Sequence, residues 1–220
     1  DLVRSRGLGD VYKRQVVIKL IPTKNDNYFV CMRLCSIQDN RFAYRKNVLP
    51  TSMHPSQAAL IVSLAKPYLK ETAQIMDPFC GVGTLLIERA HLVPAREIYA
   101  TDTYGDAITM GRENAAFAKT RINFIHRDFF DFRHDYKFDE LITDMPVRNR
   151  QTKAEMEIFY ERFFDKAAEH LVSGGIIVMY SNEIGFVKKQ IRLRVEYRLL
   201  QETCILDKKD FYLFVIRYED

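Results

Sequence analysis

Two glycines and an acidic residue about twenty positions further on carry the clearest chemical signal in this sequence. Gly81 and Gly83 lie in a turn between an apolar strand and an apolar helix. Glycine adopts positive φ readily, and the missing Cβ lets backbone N–H groups approach a ligand at the helix N-terminus. Asp102 ends the next apolar strand, where an open α/β sheet places a carboxylate that accepts from ribose hydroxyls. This spacing predicts a site for a nucleoside-containing cofactor.

Alternating strands and helices must position these residues. The apolar stretches that predict five strands of a parallel sheet are 74–76, 97–101, 122–126, 140–143 and 176–180. The helices predicted around them are 56–68, 84–91, 105–118, 153–171 and 184–191. Two late strands, 197–206 and 211–218, are joined by a short polar turn and should pair antiparallel.

Two further carboxylates follow predicted strands. Asp128 comes shortly after the third strand, and Asp144 ends the fourth. Right-handed crossovers place the carboxyl ends of parallel strands along one edge of the sheet, which is where ligands bind. We therefore expect the glycine turn, Asp102 and Asp144 to share one site.

The turn itself, Asp77-Pro78-Phe79-Cys80-Gly81-Val82-Gly83-Thr84, resembles the first motif of class I S-adenosylmethionine (SAM) methyltransferases. More narrowly, it resembles the RNA-guanine branch whose members carry a THUMP RNA-binding domain. NAD fits less well, because the dinucleotide motif has a third glycine where this chain has Leu86. The resemblance implies a Rossmann-like α/β fold with a mostly parallel, doubly wound, seven-stranded sheet that ends in an antiparallel hairpin.

The same resemblance assigns a set of cofactor-binding residues. Asp128 would accept from the adenine amino group, and Phe129 would cover the adenine ring. The complete set implied for SAM is Asp77, Phe79, Cys80, Gly81, Gly83, Thr84, Asp102, Thr103, Asp128 and Phe129.

Asp144-Met145-Pro146 resembles the Asp/Asn-x-Pro-aromatic motif of amino-directed methyltransferases. The lone pair of an exocyclic base nitrogen is delocalised into the ring, which makes it a poor nucleophile. The resemblance implies that the Asp144 carboxylate and the Met145 carbonyl accept its two hydrogens, while Pro146 fixes the turn. These three residues are the predicted catalytic group.

The chain departs from that motif at the next position. Val147 stands where an aromatic side chain would stack on the flipped-out base. Arg148 could stack its guanidinium there instead, and Arg150 and Lys153 could contact phosphates. These four residues form the predicted substrate-binding group.

The predicted function is methyl transfer from SAM to an exocyclic nitrogen of RNA, most of all N2 of guanosine in tRNA, with rRNA as the alternative substrate. Two alternatives stay open. One is methylation of adenine N6 in RNA or DNA, and the other is a SAM-binding RNA module that has lost catalysis. A cationic stretch at 188–198 is interpreted as a solvated helix face, with RNA contact as the alternative.

Composition limits the other classes of function. The sequence contains neither a long apolar run typical of a membrane span nor a secretory signal. Its four cysteines form no Cys-x-x-Cys pair, which predicts neither a zinc site nor a disulfide framework and favours a reducing, cytoplasmic setting. No metal is expected, and the oligomeric state is not predicted.

The beginning of the chain is interpreted separately. Residues 1–15 resemble the translated end of a transposon adaptor used for sequencing libraries, and we interpret them as a cloning scar, with a genuine basic tail as the alternative. They supply half of the net charge of +4. Residues 16–50 are interpreted as the remnant of an N-terminal linker and RNA-binding region, with strands at 28–35 and 41–45, and residues 51–220 as the methyltransferase domain.

Overall fold

The computed structural model describes residues 17–23, 25, 27–33, 40–206 and 210–220. The chain divides into two compact units between Arg41 and Phe42. In the first unit, β1 (Val17–Pro22) pairs antiparallel with β2 (Tyr28–Arg33). The predicted strand at 41–45 is wrong, because residues 41–44 form a turn. The predicted scar, residues 1–15, lies outside the described residues.

The second unit alternates strands and helices. Its strands are β3 (Gln74–Asp77), β4 (Glu97–Asp102), β5 (Asn123–His126), β6 (Phe138–Asp144), β7 (Leu171–Ser181), β8 (Tyr197–Leu206) and β9 (Phe211–Tyr218). Its α-helices are α1 (Pro55–Ala65), α2 (Thr84–Leu92), α3 (Gly105–Phe117), α4 (Lys153–His170) and α5 (Ile184–Leu193). Single 3₁₀ turns lie at Lys66–Tyr68 and Phe129–Asp131.

The seven strands form one sheet in the order β5-β4-β3-β6-β7-β9-β8. The first five in this order pair parallel, whereas β9 pairs antiparallel with both β7 and β8. This confirms the predicted doubly wound sheet with an antiparallel hairpin at its end. The strand order reverses at β3, which has β4 on one side and β6 on the other. Sheets of this kind bind ligands at such a point.

The two faces of the sheet are covered by different helices. Successive side chains of a strand point to opposite faces, so Ile75 and Ile142 pack with α1, α2 and α3. Their neighbours Met76 and Leu141 pack with α4 and α5 in a second core. The central strands are therefore buried on both faces, which explains their continuous apolar character.

Helix α4 has a defined beginning that fixes the segment before it. Thr152 and Glu155 form a capping box in which each side chain accepts from the other residue's backbone N–H. At the other end, the helix stops at His170, and β7 begins directly at Leu171. The predicted strand at 176–180 is thus longer, and Gly174 lies inside it with φ of 77°.

Candidate functional site

The glycine turn has the open backbone that the sequence predicts. Gly81 and Gly83 have φ of 50° and 78°. A Cβ on Gly83 would lie 2.8 Å from Cζ of Phe124, so this glycine lets the turn pack closely against β5. A Cβ on Gly81 would meet no heavy atom within 4 Å, so the turn is open to a ligand at this point. The buried Thr84 hydroxyl, at the start of α2, has no hydrogen-bond partner among the described residues.

Asp102 joins the end of β4 to this turn. Its Oδ2 accepts from the backbone N–H of Gly81 at 2.8 Å, and its Oδ1 accepts from that of Tyr104 at 2.8 Å. Each carboxylate oxygen keeps a second lone pair for another donor. The side chain is half-buried, and it is held in place by backbone groups on both sides.

Asp77 and Asp144 bring two more carboxyl groups to the same edge of the sheet. Asp77 is 1% exposed and accepts from the N–H of Phe79 at 3.0 Å. Burial, with further repulsion from Asp144 and Asp102, raises the pKa of Asp77 to about 8. Burial also raises the pKa of Asp144 to about 7. A ligand that carries positive charge would favour the ionised forms of Asp77 and Asp144.

These groups surround a single cleft of about 360 Å³. The predicted site residues that line it are Asp77, Phe79, Cys80, Gly81, Thr84, Asp102, Asp144, Met145, Pro146 and Val147. The structure thus brings together the turn, Asp102 and Asp144, as the topology predicts. Gly83 lies where the turn packs closely against the Phe124 ring.

Several lining residues were not predicted. They are Leu49, Thr51, Ser52, Met53, Val82, Leu85 and Asn149. The first four precede α1 and reach the cleft from a segment with no regular secondary structure. The sequence offered only a weak signal for them, a Leu-Pro pair shortly before the first helix.

Besides Gly83, three predicted cofactor residues lie outside the cleft lining in the described part of the chain. Thr103 is exposed, and its carbonyl lies 2.9 Å from Nε2 of His126. Asp128 caps its own 3₁₀ turn by accepting from the N–H of Phe130 at 2.9 Å. Phe129 is 1% exposed and packs edge-on against Phe79. The expectation that the Phe129 ring covers an adenine therefore needs correction, because the 3₁₀ turn directs this side chain into the core.

The acceptor segment, residues 144–152, leaves the sheet at the end of β6. The backbone N–H of Met145 donates to the carbonyl of Tyr180 at 2.9 Å, which continues the pairing with β7. The side chain of Met145 is buried. From Pro146 onward the segment is exposed, and Val147 is 52% exposed. Nε of Arg148 lies 3.8 Å from Oε1 of Glu183.

Of the other predicted substrate contacts, Arg150 is exposed in the acceptor segment and Lys153 is exposed at the start of α4. The cationic stretch is largely paired with acidic side chains. Its ion pairs are Lys188–Glu202, Lys189–Glu157 and Arg194–Asp165. This arrangement agrees with a solvated helix face better than with an RNA-binding groove.

The described part of the chain also bears on metal binding and on membrane insertion. No group of histidine, cysteine, aspartate and glutamate side chains there could hold a metal ion. No helix there has the length and apolar character needed to cross a membrane.

Comparisons with known proteins agree with this geometry. The family model described as "RMKL-like, methyltransferase domain" matches residues 43–203. The tRNA (guanine(10)-N2)-dimethyltransferase of Methanothermobacter thermautotrophicus is 31% identical over 187 residues, which cover 80% of this chain and 54% of that protein. The bifunctional methyltransferase of Rickettsia felis is 24% identical over 207 residues, covering 90% of this chain and 39% of that protein. The chain thus spans about half the length, or less, of these curated relatives.

Among solved structures, TrmN from Thermus thermophilus superposes with a TM-score of 0.71 at 20% identity, covering 92% of this chain and 60% of that one. A putative class I SAM-dependent methyltransferase from Listeria monocytogenes gives a TM-score of 0.62 at 16% identity, covering 80% of this chain and 64% of that one. At these identities, both structural similarities are evidence for the fold alone.

Proposed function

Because the chain belongs to the RMKL-like methyltransferase domain family, we propose that it transfers a methyl group from SAM to N2 of a guanosine in tRNA. One observation carries the proposal. The open glycine turn, Asp102 and the Asp144-Met145-Pro146 segment all line one cleft at the point where the strand order reverses. The relative from Methanothermobacter, named as a tRNA guanine-N2 enzyme, supports the choice of substrate.

The residues of the cleft fit SAM. The carboxylate of Asp102 has free lone pairs for ribose hydroxyls, and the space in front of Gly81 is open. The unpaired Thr84 hydroxyl offers a hydrogen bond to a polar group of the ligand. When bound, SAM supplies an electrophilic methyl group on a positively charged sulfur. The carboxyl groups of Asp77 and Asp144 face the same cleft and favour that charge.

The chain's own part in the reaction is to orient the acceptor nitrogen and remove its proton. Asp144 would accept one hydrogen of the exocyclic amino group, and the carbonyl of Met145 would accept the other. Met145 is anchored to β7 by the bond that its N–H donates to the carbonyl of Tyr180. A pKa near 7 suits Asp144 to take up the proton that the nitrogen loses. Alignment of the two reactants supplies the rest of the acceleration.

Methylation of adenine N6 is the second candidate. An Asp carboxylate and a neighbouring carbonyl fit any planar amino group, and Val147 provides no aromatic face that would select the base. The two candidates differ in product and not in geometry, so nucleoside analysis of the methylated RNA separates them.

The cofactor is tested first, by calorimetric titration of the full chain with SAM. We expect micromolar binding, weakened by about 1 to 3 kcal/mol in Asp102→Ala through the loss of charge-assisted hydrogen bonds. Asp102→Asn is the matched control, because it keeps an acceptor of the same shape and should lose less. No binding by the folded wild-type chain would contradict the proposal.

The substrate is tested by incubating the chain with labelled SAM and unmodified tRNA. Digestion to nucleosides then shows which base carries the label and whether one or two methyl groups are added. Label in N2-methylated guanosine is the expected result. Label in N6-methyladenosine would favour the second candidate, and binding of SAM without transfer would favour a module that has lost catalysis.

A further inference from the structure

A buried amide on α3 connects two segments that line the cleft. Asn114 has none of its surface exposed, and it does not itself line the cleft. Its Oδ1 accepts from the backbone N–H groups of Lys46 and Asn47, each at 3.0 Å. Its Nδ2 donates to the carbonyl of Asn47 at 3.0 Å and to that of Val82 at 3.5 Å. Both donors and both acceptor sites of the amide are thereby used.

The segment held in this way is residues 46–53, which we call the strap. Residues Leu49 and 51–53 of the strap form part of the cleft wall. Within the strap, the N–H of Leu49 donates to Oγ of Ser52 at 2.9 Å, and the N–H of Ser52 donates to the carbonyl of Leu49 at 2.9 Å. The Arg45 guanidinium also donates to the carbonyls of Ser52 and Met53, at 3.4 and 3.2 Å. The strap is therefore a turn stabilised by local hydrogen bonds, and Asn114 forms hydrogen bonds with its first two residues.

We propose that Asn114 is a positioning residue that holds the strap against the glycine turn, so that the cofactor cleft has its binding shape before SAM arrives. The inference rests on the proposed function for the identity of the ligand. Its physical basis is that a strap free to move would have to be ordered on binding, which lowers affinity. The backbone of Lys46 and Asn47 lies near the surface, where water can replace the lost bonds. Loss of the amide should thus release the strap without unfolding the domain.

The first test separates affinity from catalysis. In Asn114→Ala we expect the dissociation constant and the KM for SAM to rise about tenfold, through loss of the bonds that order the strap. The kcat at saturating SAM should stay close to that of the wild type, because Asp144 and the acceptor segment are not bonded to Asn114. Tyr197→Phe is the matched control. It removes a buried hydrogen bond from the Tyr197 hydroxyl to the carbonyl of Phe164, which lies outside the cleft lining.

The second test reports on the strap directly and needs no cofactor. The chain contains no tryptophan, so Thr51→Trp introduces a single fluorophore at an exposed strap position. We expect acrylamide to quench its emission more strongly when Asn114→Ala is added, and not when Tyr197→Phe is added. Thermal melting of each variant shows whether the fold is retained.

The possible results of these two tests lead to different conclusions about Asn114. Greater quenching together with a higher KM supports the inference. If Asn114→Ala lowers the melting temperature as Tyr197→Phe does but leaves quenching and KM unchanged, Asn114 is merely structural and the inference is overturned. If the wild-type chain binds no SAM at all, the proposed function fails and the cofactor role of the strap fails with it. Normal SAM binding by both Asn114→Ala and the wild type overturns the inference alone.

Discussion

The glycine turn and the acceptor segment border the same cleft but are built in opposite ways. Every residue from Asp77 to Thr84 is buried or half-buried. The turn is held by hydrogen bonds from its backbone N–H groups to the Asp102 carboxylate and the Thr101 carbonyl. In the acceptor segment, residues 146–152 are all exposed. The proposed cofactor side is thus fixed by the core, whereas the proposed substrate side is a surface loop anchored at its two ends by β6 and α4. Such a division suits an invariant cofactor and a large, variable substrate.

The largest effect should come from the carboxyl group at the start of the acceptor segment. Asp144→Ala should lower kcat about a thousandfold, because it removes both a hydrogen-bond acceptor and a proton acceptor. Single-turnover transfer to tRNA measures the loss. The affinity for SAM, measured by calorimetry, should change far less, because the glycine turn and Asp102 stay in place.

Asp144→Asn sharpens this prediction. The amide keeps an oxygen that accepts from the acceptor nitrogen but cannot take up its proton, so we expect about a tenfold loss in kcat. Transfer by Asp144→Ala at the wild-type rate would show that the acceptor segment is not the catalytic half of the cleft.

Within the glycine turn, the two glycines should respond differently. Gly83→Ala places a Cβ 2.8 Å from the Phe124 ring at a φ of 78°, and we expect about 3 kcal/mol of lost stability from strain and overpacking. Gly81→Ala meets no atom within 4 Å, so its strain should cost only about 1 kcal/mol. Its methyl group, however, occupies space in front of the turn and should weaken SAM binding.

Chemical denaturation and calorimetry of the two variants test this contrast. Equal losses of stability in Gly81→Ala and Gly83→Ala would mean that the turn is not packed against β5 as described. Unchanged SAM affinity in a folded Gly81→Ala protein would mean that the ligand does not approach the turn.

The contrast between a turn fixed by the core and an exposed loop also bears on what could be predicted from the sequence. From residue 56 onward, the strands and helices follow from apolar runs and their periods, and those predicted are present within a few residues, with β7 beginning five residues before its predicted start. The failure at 41–45 has a physical cause. Phe42 and Tyr44 alternate as in a strand, but they lie in a turn, where Tyr44 packs into the core beside α1 and α2 and its hydroxyl donates to Glu88.

For the site, local spacing predicted Gly81 and Asp102, whose bond joins residues 21 positions apart in consecutive βα units. The strap could not be predicted, since Asn114 reaches backbone atoms 67 and 68 positions away. Phe129 failed for a subtler reason. The sequence places two phenylalanines after Asp128, and only the geometry of the 3₁₀ turn decides that Phe129 is the buried one.

The pH dependence of activity is a smaller expected effect, and it distinguishes the Asp144 carboxyl group from that of Asp77. Burial raises the pKa of Asp144 to about 7, and its proposed role requires the carboxylate, so kcat/KM should rise with pH. We expect about a tenfold increase from pH 6 to pH 8 for one such ionisation. Asp77→Asn removes the neighbouring group with a pKa near 8 and should leave a single ionisation near 7. A profile that is flat over this range in the wild type would rule out a proton-accepting role for Asp144.

The smallest effect tests whether the exposed substrate side can be improved. Val147→Phe restores an aromatic face beside the Asp144-Met145-Pro146 segment, and base stacking should lower the KM for tRNA about fivefold. Val147→Leu is the matched control, because it adds apolar area without a π-face and should change the KM little. The gain is available because Val147 is 52% exposed, so the larger ring displaces solvent and not a packed neighbour. Equal improvement by Leu and Phe would mean that apolar contact suffices at this position, and a higher KM with Phe would place the base elsewhere, with Arg148 as the next residue to substitute.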